Sequence, residues 1–89
     1  MQVIELSKNL DLVAAPALLE NFMRYKGQDI QVDAQQVQRM GAQCFQILLS
    51  AKKTWETEGC SLNLTNASPA FAEAVALMGA NVEDLTYLK

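Results

Sequence analysis

Asp33-Ala-Gln-Gln-Val-Gln-Arg-Met-Gly-Ala-Gln-Cys-Phe-Gln-Ile-Leu-Leu49 is the stretch on which the reading of this chain turns. It begins where a short apolar strand, Ile30-Gln-Val32, runs out at Asp33. It crosses a glutamine-rich loop and enters an apolar helix at Ala42. From there Cys44, Ile47, Leu48, Ala51 and Trp55 recur at three- and four-residue spacing, which places them on one face of a helix. Phe45 and Leu49 widen that face, while Gln43, Gln46, Ser50 and Lys53 fall opposite. Gly59 stops the helix, so its expected span is Ala42 to Glu58.

The same pattern extends outward in both directions. Upstream, Val3-Ile4-Glu5-Leu6 is a strand rich in β-branched residues, and Leu10-Asp11-Leu12 is a second, very short candidate. Asp11 is alternatively a cap for the helix that follows, its side-chain oxygen accepting a free N–H. That helix is expected from about Val13 to Tyr25, with Ala15, Leu18, Leu19, Phe22 and Met23 as its stripe. Pro16 is tolerated only in the first turn, where its missing donor matters little, and Gly27 ends the helix. Downstream, Ser61 to Leu64 is a strand. Ser68-Pro69 then starts a helix, with Ser at the cap and Pro at the first position. Phe71, Val75 and Met78 form its stripe, flanked by Ala74 and Leu77, and Gly79 closes it. A last strand is expected at Leu85 to Leu88. Alternating strands and helices predict an α/β fold, a single domain over residues 1–89, with about four to five strands in a small mixed sheet and about three to four helices.

Composition narrows the function. Of 89 residues, 51% are hydrophobic and 19% charged, which suits a packed globule rather than a disordered chain. Net charge is −3, and the seven basic residues are scattered rather than clustered. Nucleic-acid binding needs a basic face, so no nucleic-acid partner is expected. No apolar run reaches the roughly 20 residues of a membrane span, and no basic-then-apolar leader opens the chain. The expected compartment is the cytoplasm, with no membrane insertion. There is no histidine. The commonest general base and metal ligand are therefore missing, and Ser-His-Asp and Cys-His arrangements are impossible. The glycines stand singly, so no phosphate-cradling loop exists. No enzyme, metal or cofactor is expected. Cys44 and Cys60 lack the spacing of a metal or redox pair and read as reduced, buried side chains. Glu56 with Glu58, and Glu83 with Asp84, read as solvated carboxylates, because a raised carboxylate pKa needs burial or close like charge.

Several tracts, in this order, resemble the STAS domain, the fold of bacterial anti-sigma factor antagonists. Leu10-Asp-Leu-Val-Ala-Ala-Pro16-Ala-Leu18 resembles the family's entry into its first helix. Ile30 to Asp33 resembles its central strand. Gly41 to Leu49 resembles the helix after the phosphoacceptor loop. Gly59 to Leu64, followed by Asn66-Ala-Ser-Pro69, resembles the next strand and turn. The resemblance implies a STAS-like α/β sheet and a protein-binding role. It also exposes a departure. Family members carry Asp-Ser where this helix begins, with Ser or Thr as phosphoacceptor; here Gly41 and Ala42 replace it. Ser50 lies two turns along the helix, and Ser68 is taken as a cap, so neither substitutes.

Arg39-Met-Gly-Ala-Gln-Cys-Phe-Gln-Ile-Leu-Leu-Ser-Ala-Lys-Lys-Thr-Trp55 is similar to a subgroup of short STAS proteins of bacterial chemotaxis systems that lack the phosphoacceptor. That similarity implies a chemotaxis histidine kinase as partner and a modulating role in phosphoryl signalling. The alternatives are a constitutive anti-sigma factor antagonist that binds a switch kinase, and an accessory subunit of a lipid transporter. The expected partner-binding surface comprises Gln36, Gln38, Arg39, Met40, Gly41, Ala42, Gln43 and Gln46. Its glutamines supply neutral donors and acceptors, Arg39 a planar fork suited to carboxylates, and Met40 an adaptable apolar knob. Gly41-Ala42 leaves the helix N–H groups approachable.

Overall fold

A computed structural model describes residues 1–89. In chain order the elements are β1 (Gln2–Glu5), β2 (Asn9–Leu10), α1 (Ala15–Arg24), β3 (Ile30–Asp33), β4 (Arg39–Met40), α2 (Ala42–Glu58), β5 (Leu62–Thr65), α3 (Pro69–Leu77) and a 3-10 turn (Val82–Leu85). Strands β1, β3 and β5 form a parallel sheet in that order, with Gln2 opposite Ile30 and Ile30 opposite Leu62. Strands β2 and β4 form a separate two-residue parallel ladder, Asn9 beside Arg39 and Leu10 beside Met40. Tyr87 adds an antiparallel bridge to Leu62 at the outer edge of β5. The result is a small mixed α/β fold of five strands and three α-helices.

The central strand shows why the sheet is parallel. Ile30 and Val32 are fully buried, and crossover helices are what cover a parallel sheet. The core is a continuous cluster of 21 buried residues, none of them polar or charged. Trp55 joins α2 to α1 within it. Its indole N–H donates to Gln28 O at 2.6 Å, and its ring meets Phe22 edge-on at 5.9 Å between centroids. No helix is long and apolar enough to cross a membrane.

Helix α2 occupies the expected Ala42–Glu58, and its left-handed cap is Gly59 at φ 73°. Helix α3 is capped by Ser68 with Pro69 at its first position, as the sequence predicts. Elsewhere the expectations need correction. The second strand lies at Asn9–Leu10, not Leu10–Leu12, because Asp11 bends the chain. Its Oδ1 accepts from Ala14 N at 3.0 Å in a turn ahead of the helix, so α1 starts at Ala15 rather than Val13. The buried stripe of α1 is only Ala15, Leu18 and Phe22. Leu19, Met23 and Leu77 are exposed. The expected strand at Leu85–Leu88 does not form, because Leu85 is taken into the core by the 3-10 turn and Tyr87 alone bridges β5.

Candidate functional site

Strand β3 delivers Asp33 to the start of the loop. Its carboxylate accepts from Gln35 N at 2.8 Å and from Asn66 Nδ2 at 3.2 Å, a local Asx arrangement that turns the chain. Val37 plunges into the core, and its carbonyl accepts from Ser68 Oγ at 2.6 Å. The segment expected to be loop then becomes β4. Lys8 O accepts from Gln38 N at 2.7 Å and Arg39 N at 3.1 Å, and Leu10 O accepts from Gly41 N at 2.9 Å. The face that precedes α2 is thus tied to β2 by main-chain bonds and to α3 by Ser68.

Gly41 is the N-cap of α2, at φ −90° and ψ 170°. Any residue adopts that conformation, and a Cβ there would meet only Leu10 O, at 3.7 Å. The glycine is therefore not demanded by the backbone. No side chain caps α2 and no acidic residue occupies its first turn. The N–H groups of Ala42, Gln43 and Cys44 have no hydrogen-bond partner within the chain. They leave the positive end of the helix dipole open to an acceptor. Cys44 itself points inward: fully buried, its Sγ donates to Asp11 O at 3.4 Å, and burial, helped by Asp11, pushes the thiol pKa up.

Gln38, Arg39, Gly41, Ala42, Gln43 and Gln46 are all exposed. Met40 is not: alternation along β4 turns it inward, 9% exposed, while Arg39 points out. The adaptable knob expected at position 40 is a core residue. Gln36 is exposed but faces a separate concavity beside Glu5, Asp33 and Gln35, with its amide donating to Leu6 O at 3.0 Å. Gln38, Arg39 and Gly41 join Asn9–Leu12 and Met40 in lining an open concavity of about 740 Å³, whereas Ala42, Gln43 and Gln46 lie outside that lining. Asn9 of β2 and the turn residues Asp11 and Leu12 were missing from the expected surface. The only sequence signal for them was the apolar pair Leu12-Val13 lying outside the helix stripe.

Arg39 has no carboxylate within ion-pairing distance. The site therefore presents an unpaired guanidinium, neutral amides and open helix N–H groups. Those groups offer hydrogen-bond donors and one positive charge to an acceptor.

A family model described as "Mlab, STAS domain" matches residues 1–87. Neither the curated proteins nor the solved structures yielded a match.

Proposed function

The chain belongs to the STAS domain family, and from that premise we propose that it is a binding module without a phosphoacceptor, docking on a bacterial chemotaxis histidine kinase and modulating its phosphoryl signalling. The observation that carries the reading is the start of α2, where Gly41 and Ala42 are exposed and bear no hydroxyl. Phosphorylation there would add roughly two negative charges at a helix N-terminus. Without a hydroxyl the surface keeps one charge state, so its affinity is set by composition rather than by a switch. The kinase as partner is supported by the resemblance of Arg39 to Trp55 to the chemotaxis subgroup. The absence of histidine supports a non-enzymatic role.

The test is calorimetric titration of the chain into the chemotaxis histidine kinase of its own cell. Binding is expected, with affinity reduced about tenfold by Arg39→Glu together with Gln43→Glu. Met40 is left alone because it is buried. Absence of binding to that kinase refutes the proposal. Binding instead to a switch kinase, or to a transporter ATPase, selects one of the two alternative readings. Stoichiometric phosphate on Ser50 or Ser68 after incubation with a serine kinase would be equally fatal.

A further inference from the structure

Leu12 and Val13 are 74% and 88% exposed. They are the two central residues of a turn closed by Ala14 N, which donates to Asp11 O at 3.1 Å and to Asp11 Oδ1 at 3.0 Å. The double closure holds both side chains out in water. Leu12 lines the same concavity as Arg39 and Gly41. Adjacent, rigidly presented aliphatic side chains at the rim of a polar concavity are the composition of an interface anchor.

Charge identifies what covers them. Arg24, Lys26, Lys52 and Lys89 each pair with a carboxylate, whereas Lys8, Arg39 and Lys53 do not. Two of those three free cations belong to this region. Arg39 lies on β4, and Lys8, just before β2, holds Arg39 N through its carbonyl. The uncapped N-terminus of α2 adds a third positive locus. Asp11, the one carboxylate lining the concavity, keeps its negative charge while accepting from Ala14 N, but the two cations and the helix end outweigh it. On a chain of net charge −3 this is a locally positive face. A second copy docked face to face would bring both Arg39 side chains to one seam, which like charge disfavours.

We infer that Leu12, Val13 and Arg39 form one docking surface for an acidic, amphipathic segment of a protein partner. Its aliphatic residues cover the Leu12-Val13 turn, and its carboxylate reaches the Arg39 fork or the free N–H groups of α2. The inference rests on reading this face as the binding surface, but not on the partner being a histidine kinase.

The test places the photo-crosslinker p-benzoylphenylalanine at position 12 and, as control, at position 77, where Leu77 is equally exposed on α3. The full chain is irradiated in its own cells and the adducts are sequenced. The expected result is attachment from position 12, not 77, to a partner segment with Asp or Glu beside aliphatic residues. With that partner purified, Leu12→Ser with Val13→Ser, and separately Arg39→Glu, should each weaken affinity at least about tenfold. Unfolding midpoints should not change, since all three side chains are exposed. Added salt should weaken the natural chain and leave Arg39→Glu nearly unaffected. If the segment belongs to the histidine kinase, both readings stand. If it belongs to another protein, the inference stands and the kinase assignment falls. A second copy at position 12, a basic segment, equal labelling at 12 and 77, or no adduct overturns it.

Discussion

Replacing Ser68 with alanine removes one oxygen that makes two bonds. Oγ accepts from Phe71 N at 3.1 Å, capping α3, and donates to Val37 O at 2.6 Å, fastening the segment that leads into the candidate interface. Loss of a serine N-cap costs about 1 kcal/mol. Stranding a partly buried carbonyl acceptor costs about 1 kcal/mol more. The two groups are separate, so the total is about 2 kcal/mol. Unfolding entropy near 2.1 cal/mol/K per residue, over this chain, converts that into a fall in Tm of about 10 °C. Two further variants separate the contributions. Ser68→Thr keeps both bonds and should lie within about 0.5 kcal/mol of the natural chain. Ser68→Asp keeps the cap acceptor but sets a carboxylate against the Val37 carbonyl, and should fall below it. Thermal unfolding followed by circular dichroism, with urea titration as a check, reads all three. If Ser68→Ala melts within about 2 °C of the natural chain, the proposed double role is wrong. If Ser68→Asp is fully stable, the Val37 bond contributes nothing.

Gly41→Asp should stabilise the domain by about 0.5–1 kcal/mol, because a carboxylate would cap α2 and meet its dipole in a backbone conformation already suitable; a lower Tm would show that the N-terminus is less open than described. Asp29 has its carboxyl held below the ordinary 3.8, first by the Ser61 N–H at 2.9 Å and then by Lys89 at 3.7 Å, against a burial cost. With the folded pKa below the unfolded one, its stabilisation is complete above the unfolded value and is lost as pH falls through the folded value. Asp29→Asn should therefore flatten the stability profile below about pH 4, and an unchanged acid limb in pH-dependent urea titrations would contradict this. Native labelling with a thiol reagent should modify Cys60 first. Cys44, fully buried and with its pKa raised above 9.0, should react only as the fold opens; two equally fast thiols would refute that placement.

What was legible in the sequence was whatever announces itself locally. Helix α2 has a long stripe and a glycine stop, and α3 has Ser68-Pro69, so both were placed correctly. The start of α1 was misread because Asp11 satisfies an N–H outside the helix, which by spacing alone looks like a cap. Strand β4 was invisible because two residues have no periodicity, and its pairing is supplied by Lys8 and Leu10, distant in the chain. The error at Met40 follows from that. Only a strand assigns Arg39 to solvent and Met40 to the core. Leu19 and Met23 were expected inside because helical spacing cannot show how wide the covering surface is. Here they border a small apolar groove between α1 and α2. Around α2's first turn Gly41, Ala42, Gln43 and Gln46 are exposed, whereas the nearness of Asp11 and Leu12 to Arg39 and Gly41 required the fold.

The parallel ladders also have a kinetic meaning. Gln2 meets Ile30, Ile30 meets Leu62, and Asn9 meets Arg39. There is no hairpin, so every ladder must close a loop of about thirty residues before its first bond forms. Three such closures of similar length leave the β contacts no cheap starting point. The helices, whose bonds are local, are the natural early structure, and the sheet is gathered afterwards. Such a topology folds more slowly than a helical bundle of equal size. Until β3 is enclosed, its fully buried Ile30 and Val32 are the segment most exposed to intermolecular pairing. Collapse around that one strand is the step at which the chain is most open to misassembly.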